Sequence, residues 1–253
     1  MLYISADEAA RKWNISVRRV QQMCKSGEIP GAVKEGRSWV LPEDVQQPVR
    51  KTLKTSRALL PLPVGISSYV EAVSNYYYVD KTLLIRDFVD TLPKVTLFTR
   101  PRRFGKTLNM DMLRVFFEKT EEDTSCWFKD KKIWSCGKAY RKHQGRYPVI
   151  FLTFKDVKYS TWENALSDIS EIIRMEYSRH AELRESGKCT EYEKSFYAKI
   201  ISGDAEEVEL ARSLSVLSAM LHKHAGMPAV IIIDEYDTPI QQGHEAGYYK
   251  EVI

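Results

Sequence analysis

Two short stretches, far apart in the chain, carry residue types that together handle a phosphate chain and a divalent cation. The first is Arg100-Pro101-Arg102-Arg103-Phe104-Gly105-Lys106-Thr107. At a strand-to-helix turn, backbone amides at the helix N-terminus face an anion, a Lys reaches terminal phosphates and a neighbouring hydroxyl ligates magnesium. Gly105, Lys106 and Thr107 occupy those three positions, and Arg100, Arg102, Arg103 and Phe104 complete the loop. The first Gly of the usual G-x-x-x-x-G-K-[ST] pattern is replaced by Arg100, so this match is incomplete by itself. A non-Gly residue does not freely adopt positive φ, but the guanidinium groups of Arg100, Arg102 and Arg103 offer charge compensation to phosphate.

The second stretch is the apolar run Ala229-Val230-Ile231-Ile232-Ile233, which ends in Asp234-Glu235. Such a run suits a fully buried parallel strand. A carboxylate at its C-terminal end lies beside a phosphate loop, where Asp234 can hold magnesium through water and Glu235 can polarise an attacking water. The implied ligands are ATP and Mg2+, with Thr107 and Asp234 as metal ligands and Glu235 as the catalytic residue. The plainer alternatives are a solvated Lys106 and a structural Glu235. Asp237 either joins the site or caps the next turn, and Asp80 and Lys81 stand outside the candidate set.

Positioning these groups requires a strand before the loop and a helix after it. Residues 95–99 are β-branched and apolar, and residues 106–118 place Leu108, Met112, Leu113, Phe116 and Phe117 at helical spacing. Upstream, residues 76–79 suggest a short strand and residues 81–90 a helix with Leu84, Ile85, Phe88 and Val89 inward. The run from Val149 to Phe154 reads as another buried strand.

A different chemistry occupies the first quarter. Ser5-Ala6-Asp7-Glu8 has the form of a capping box, so a helix should start there, with Ala9, Ala10 and Trp13 on its inner face. Asn14 breaks the pattern and Ser16 is a second N-cap. In the following helix Val20, Met23 and Cys24 form an inward stripe, and Gly27 ends it. Two short helices joined by a tight turn enter a major groove, where Arg and Gln contact guanine and adenine. Arg18, Arg19, Gln22 and Lys25 are the candidate DNA contacts on the second helix. Residues 32–34 and 37–41 read as a hairpin with its turn at Glu35-Gly36, and Lys34 and Arg37 flank the tip. Residues 42–45 resemble the first turn of a short helix. Through Ile4 to Ala10, Ile15 to Val20 and Gly36-Arg37-Ser38-Trp39, residues 1–48 resemble the winged helix-turn-helix of the MerR and excisionase type. A solvated charged face on an interaction or hinge module is the alternative.

Charge supports an anionic partner for that end. Residues 1–57 hold 11 Lys and Arg against 6 Asp and Glu, while the remainder holds 27 against 28. Residues 46–63 are Pro-rich and basic and read as a linker. Overall, 43% hydrophobic and 28% charged residues with only 22 Gly and Pro exclude a collagenous or disordered chain. The longest apolar runs are far shorter than the roughly 20 residues of a membrane-spanning helix. With no secretory signal at the start, a cytoplasmic protein without a membrane partner is expected. The four scattered cysteines read as buried thiols and the five dispersed histidines as solvated side chains.

Residues 62–253 resemble the predicted AAA-ATPase-like proteins. The resemblance rests on Leu62 to Ile66, Tyr78-Val79-Asp80-Lys81-Thr82, Leu97 to Thr107, Val149 to Asp156 and Ile233-Asp234-Glu235-Tyr236-Asp237. That family normally carries Arg-Pro-Arg-Arg-Phe-Gly-Lys, which makes Arg100 a family feature. The expected architecture is α/β: a winged helix-turn-helix over residues 1–48, a linker over 49–61, and over 62–253 the N-terminal part of a three-layer α/β/α P-loop NTPase with a parallel sheet. In that class an inserted strand separates the acidic-pair strand from the loop-bearing strand and comes later in sequence. Residues 238–253 are too few for it, so the resemblance implies a fragment, a truncated product or one part of a larger assembly. An ATPase when complete, with this chain alone short of full activity, is the expectation. A nucleotide-binding scaffold and a DNA-binding regulator without turnover are the alternatives. The class also often completes its sites between subunits, which makes a homo-oligomer possible, and no nuclease motif accompanies it here.

Overall fold

The computed structural model describes residues 3–13, 15–25, 27–36, 38–45, 60–91, 94–99 and 104–253. The chain divides into two compact units, Met1–Leu59 and Leu60–Ile253.

In the first unit, strand β1 (Tyr3–Ser5) leads into helix α1 (Ala6–Lys12), followed by α2 (Val17–Lys25), β2 (Val33–Glu35) and β3 (Ser38–Pro42). The Ser5–Glu8 capping box forms: Glu8 N donates to Ser5 Oγ at 3.2 Å and Ser5 N donates to Glu8 Oε2 at 2.8 Å. Donation from Ser5 N and from the Ser5 hydroxyl to Glu8 Oε2 holds the Glu8 carboxyl below the usual range. Gly27, at φ 75°, closes α2 in a Schellman arrangement, with Gly27 N on Cys24 O and Glu28 N on Met23 O. The core joins Ala9, Ala10, Val20, Met23, Cys24, Ile29 and Leu41.

Three details differ from the sequence reading. Glu35 pairs with Ser38, so the turn lies one residue later than Glu35-Gly36. β1 adds a third antiparallel strand, in the order β1-β3-β2. Residues 42–45 form a single turn rather than a helix, because Pro42 is still paired in β3 and Val45 N bonds back to Pro42 O.

The second unit contains α3 (Tyr69–Asn75), α4 (Leu83–Thr91), α5 (Lys106–Phe117), α6 (Lys132–Ser135), α7 (Lys138–Arg141), β4 (Val149–Thr153), α8 (Trp162–Arg179), α9 (Glu191–Ser202), α10 (Glu207–Ala225), β5 (Val230–Asp234), α11 (Thr238–Ala246) and α12 (Tyr249–Val252). β4 and β5 pair in parallel, Val149 opposite Val230 through Thr153 opposite Asp234. Alternation along the strands then feeds two cores. Val149, Phe151, Val230 and Ile232 pack toward α3, α4 and α5, with Tyr69, Met112, Phe116 and Phe128 at the centre. Ile150 and Leu152 pack toward α8, α9 and α10 against Tyr177, Phe196, Leu217 and Met220. Helices therefore cover both faces of a two-stranded parallel sheet. None of the described helices is long and apolar enough to cross a membrane.

The sheet is smaller than expected. Residues 76–79 and 95–99 join no ladder; Val95 and Leu97 are exposed, while Tyr78 and Phe98 pack against the core. The composition of both segments suits a strand, but they pair with none of the described strands. β5 is not buried throughout either: Ile231 is 46% exposed, because among the described residues β5 is paired on one edge only.

The outer edge of β4 is closed by side chains. Glu176 Oε1 accepts from Phe151 N at 2.9 Å, and Arg179 Nη2 donates to Val149 O at 2.8 Å, with His180 Nε2 3.2 Å from the same oxygen. His180 is thus buried at the end of α8, contrary to a solvated histidine. The cysteines also divide: Cys24 and Cys189 are buried, Cys126 is exposed and Cys136 is intermediate.

Candidate functional site

Thr107 and Asp234 meet at one end of α5. Gly105 is its N-cap at φ 71° and ψ 30°, a left-handed conformation that Gly adopts without strain. This places Lys106 and Thr107 in the first turn, where unpaired amides and the helix dipole favour negative charge. Thr107 Oγ1 donates to Asp234 Oδ2 at 2.6 Å, across 127 residues of sequence. Asp234 is 1% exposed, and its Oδ1 is buried with no hydrogen-bond partner. Buried carboxylate oxygens are costly when unsatisfied, and a cation or cation-bound water is the partner that this acceptor suits. The residues present therefore fit a magnesium ion, held through Thr107 and Asp234.

Glu235 follows immediately and is the single described non-Gly residue at positive φ, 51°. A glutamate in this region is strained, and such strain collects at sites where a side chain must be aimed. Thr238 Oγ1 donates to Glu235 Oε2 at 3.4 Å, and Thr238 N donates to Glu235 O at 3.1 Å. Lys106 is half-buried and Phe104 is exposed. Arg100, Arg102 and Arg103 lie outside the described residues.

The neighbouring acidic positions have other work. Asp80 Oδ1 accepts from Thr82 N and Thr82 Oγ1, and Asp80 Oδ2 accepts from Lys132 N at 2.8 Å, tying together the starts of α4 and α6. Burial would raise its carboxyl, but these hydrogen bonds outweigh it and hold the group below the usual range. Asp237 sits at the start of α11 and accepts from the Gln241 side chain at 3.1 Å. Thr153, which the sequence did not single out, lies directly opposite Asp234 on the same face of the sheet. Only pairing register reveals it.

In the first unit, Arg18, Gln22 and Lys25 share the exposed face of α2 opposite the buried stripe, and Lys34 is exposed near the hairpin tip. Arg19 is half-buried, with Nη1 3.5 Å from Gln22 Oε1. Arg37 lies outside the described residues.

A family model described as predicted AAA-ATPase matches residues 63–253, three quarters of the chain. The chain belongs to the predicted AAA-ATPase family. Ahead of this AAA-ATPase-like domain, a helix-turn-helix domain model matches residues 3–45. The AAA-ATPase-like chain is also similar to an uncharacterized protein in the vnfD 5' region of Azotobacter chroococcum mcd 1. The two are 28% identical over 182 residues, covering 71% of this chain and 29% of that protein. The chain thus spans less than a third of that relative's length. No solved structure matches it.

Proposed function

We propose that the chain binds ATP with Mg2+ at the N-terminus of α5 and binds double-stranded DNA through its first unit. The observation that carries the nucleotide reading is the Thr107–Asp234 hydrogen bond, which leaves Asp234 Oδ1 buried and without a partner. Lys106 and the first-turn amides of α5 would hold the polyphosphate, with Gly105 and Phe104 in the preceding turn. Arg100, Arg102 and Arg103 add positive charge to the same loop. Magnesium, when bound, supplies charge neutralisation to the phosphate oxygens. In this reading Glu235 is the general base for water and the complete cytoplasmic protein is an ATPase.

DNA binding is supported by the helix-turn-helix match and by the exposed face of α2. Arg18, Arg19 and Gln22 would read base edges while Lys25, Lys34 and Arg37 meet phosphates. A second reading, nucleotide binding without turnover, is favoured by the Thr238 hydroxyl, which donates to one oxygen of the Glu235 carboxylate at 3.4 Å.

Calorimetric titration of the full chain with ATP, with and without Mg2+, tests the proposal. Mg2+ should tighten ATP binding, and Asp234→Asn should reduce that Mg2+-dependent gain by about 10-fold or more, the scale at which orienting groups affect metal sites. Equal Mg2+ dependence in Asp234→Asn and wild type would sink the site assignment. Turnover abolished by Glu235→Gln supports the ATPase reading, and unchanged turnover removes that residue's role.

A further inference from the structure

The second unit carries a concentrated cationic surface of its own. Residues 129–146 hold seven Lys and Arg against one acidic residue, Asp130, and of the seven Lys129 pairs with Asp123 and Lys131 with Asp130, although the sequence downstream of residue 57 is almost charge-balanced. The segment includes α6 and α7 and the turn that leads into β4. Lys138, Lys142 and Arg146 are exposed, and none has a carboxylate partner among the described residues. Arg141 is also exposed, with its guanidinium 5.3 Å from the Trp134 ring centre and its Nε donating to Trp134 O at 2.8 Å.

This segment is hydrogen-bonded to α4 and to the C-terminal end of α5, away from the candidate nucleotide site. Tyr140 OH donates to Asp90 Oδ1 at 2.9 Å, fixing α7 against α4. Gly145 N donates to Phe116 O at 2.8 Å and Lys119 N to Tyr147 O at 2.9 Å, which places the turn at the C-terminal end of α5. Lys106 is at the other end of that helix, about 17 Å away at 1.5 Å per residue. β4 likewise begins beside this turn and ends beside Asp234. The cations therefore do not serve the phosphate loop.

Unpaired cations beside an aromatic-stacked Arg suit a polyanion whose charges repeat along a backbone. We infer that this face is a second, sequence-independent contact for the phosphate backbone of duplex DNA, made by the AAA-ATPase-like unit itself. The choice of duplex DNA rests on the proposed DNA binding of the first unit: both surfaces belong to one chain, so the second contact becomes intramolecular once the first forms.

The test measures duplex DNA binding by the full chain at several salt concentrations. It compares wild type, Lys138→Gln/Lys142→Gln/Arg146→Gln, the corresponding Lys138→Arg/Lys142→Arg variant, and Arg18→Ala/Arg19→Ala. Loss of three phosphate contacts should flatten the slope of log K against log salt by about 2 to 3 and weaken all duplex sequences alike. The Arg variant should retain the wild-type slope, and thermal denaturation should show the Gln variant folded. Unchanged affinity and slope in the Gln variant, with binding lost in Arg18→Ala/Arg19→Ala, overturns this inference while leaving the first unit's role intact. Failure of wild type to bind duplex DNA overturns both. A slope change seen only with single-stranded RNA or an acidic protein also overturns it, by assigning the face to another partner.

Discussion

Replacing Glu176 with Gln should destabilise the second unit by about 3 kcal/mol, even though the substitution is nearly isosteric. Glu176 is 4% exposed and its carboxylate accepts from Phe151 N, Arg179 Nε and Arg179 Nη2 at 2.8 to 2.9 Å, with His180 Nε2 at 3.4 Å. Burial alone would raise its pKa, but hydrogen bonds from His180 and Arg179 and the Arg179 charge prevail, lowering it from 4.5 to about 2. A shift of that size corresponds to about 3 kcal/mol at 1.36 kcal/mol per unit. Removing one member of a buried ion pair costs a similar 3–5 kcal/mol, so two routes converge. The sign follows from the lowered folded-state value. This stability is present above pH 4.5, the ordinary glutamate value, and is lost as pH falls through about 2. Urea denaturation at pH 7 should show the full deficit. Across pH 4.5 to 2 the wild type should lose its advantage over Glu176→Gln. A deficit below about 0.5 kcal/mol at pH 7, or a gap that does not narrow in acid, would refute the reasoning.

Two other perturbations probe the core and the loop. Phe116→Ala removes a fully buried ring packed edge-on against Phe117 and Phe128, and should cost about 3–5 kcal/mol in urea or thermal denaturation. At Gly105 an added Cβ meets nothing within 4 Å, so Gly105→Ala should cost only the left-handed backbone penalty, about 1–2 kcal/mol in thermal denaturation.

The helices that position the candidate site were legible because their signals are local. The capping box at Ser5 and Glu8, the stripe of Val20, Met23 and Cys24, and the spacing of Met112, Leu113, Phe116 and Phe117 depend on neighbours within two turns. Strands are different, since a ladder needs a partner that sequence order does not name. Residues 95–99 and β4 have similar apolar content, yet only β4 finds an adjacent strand. β1 was missed because three residues are too few to show a period of two. Within the site, the residue types at Thr107 and Asp234 suggested their encounter. The positive φ of Glu235 had no such signal, because Glu seldom adopts it. Nor did burial of His180, which follows from α8 ending over the β4 edge and placing Glu176, Arg179 and His180 where a strand would otherwise pair.

Those edge-sealing residues also anchor the end of α5 that lies away from Thr107. The helix is tied at its first turn by Thr107 to Asp234 in β5. At its far end, Arg114 bonds Asp111 at 2.7 Å and Glu118 at 2.8 Å, and Glu118 in turn pairs with Arg179. Asp111 Oδ2 also accepts from Tyr69 N at 2.7 Å, so the same charges anchor α3. The two ties do different things. The charge chain continues through Arg179 to Glu176 and the β4 edge, so it joins α5 to the sheet as a whole. The Thr107–Asp234 bond is local and sets the spacing of the first-turn amides from the carboxylate. Removing Glu176 should therefore lower stability while leaving Mg2+-dependent ATP affinity within about twofold in the folded protein, and a large affinity loss there would show that the distant tie, not the local one, shapes the site.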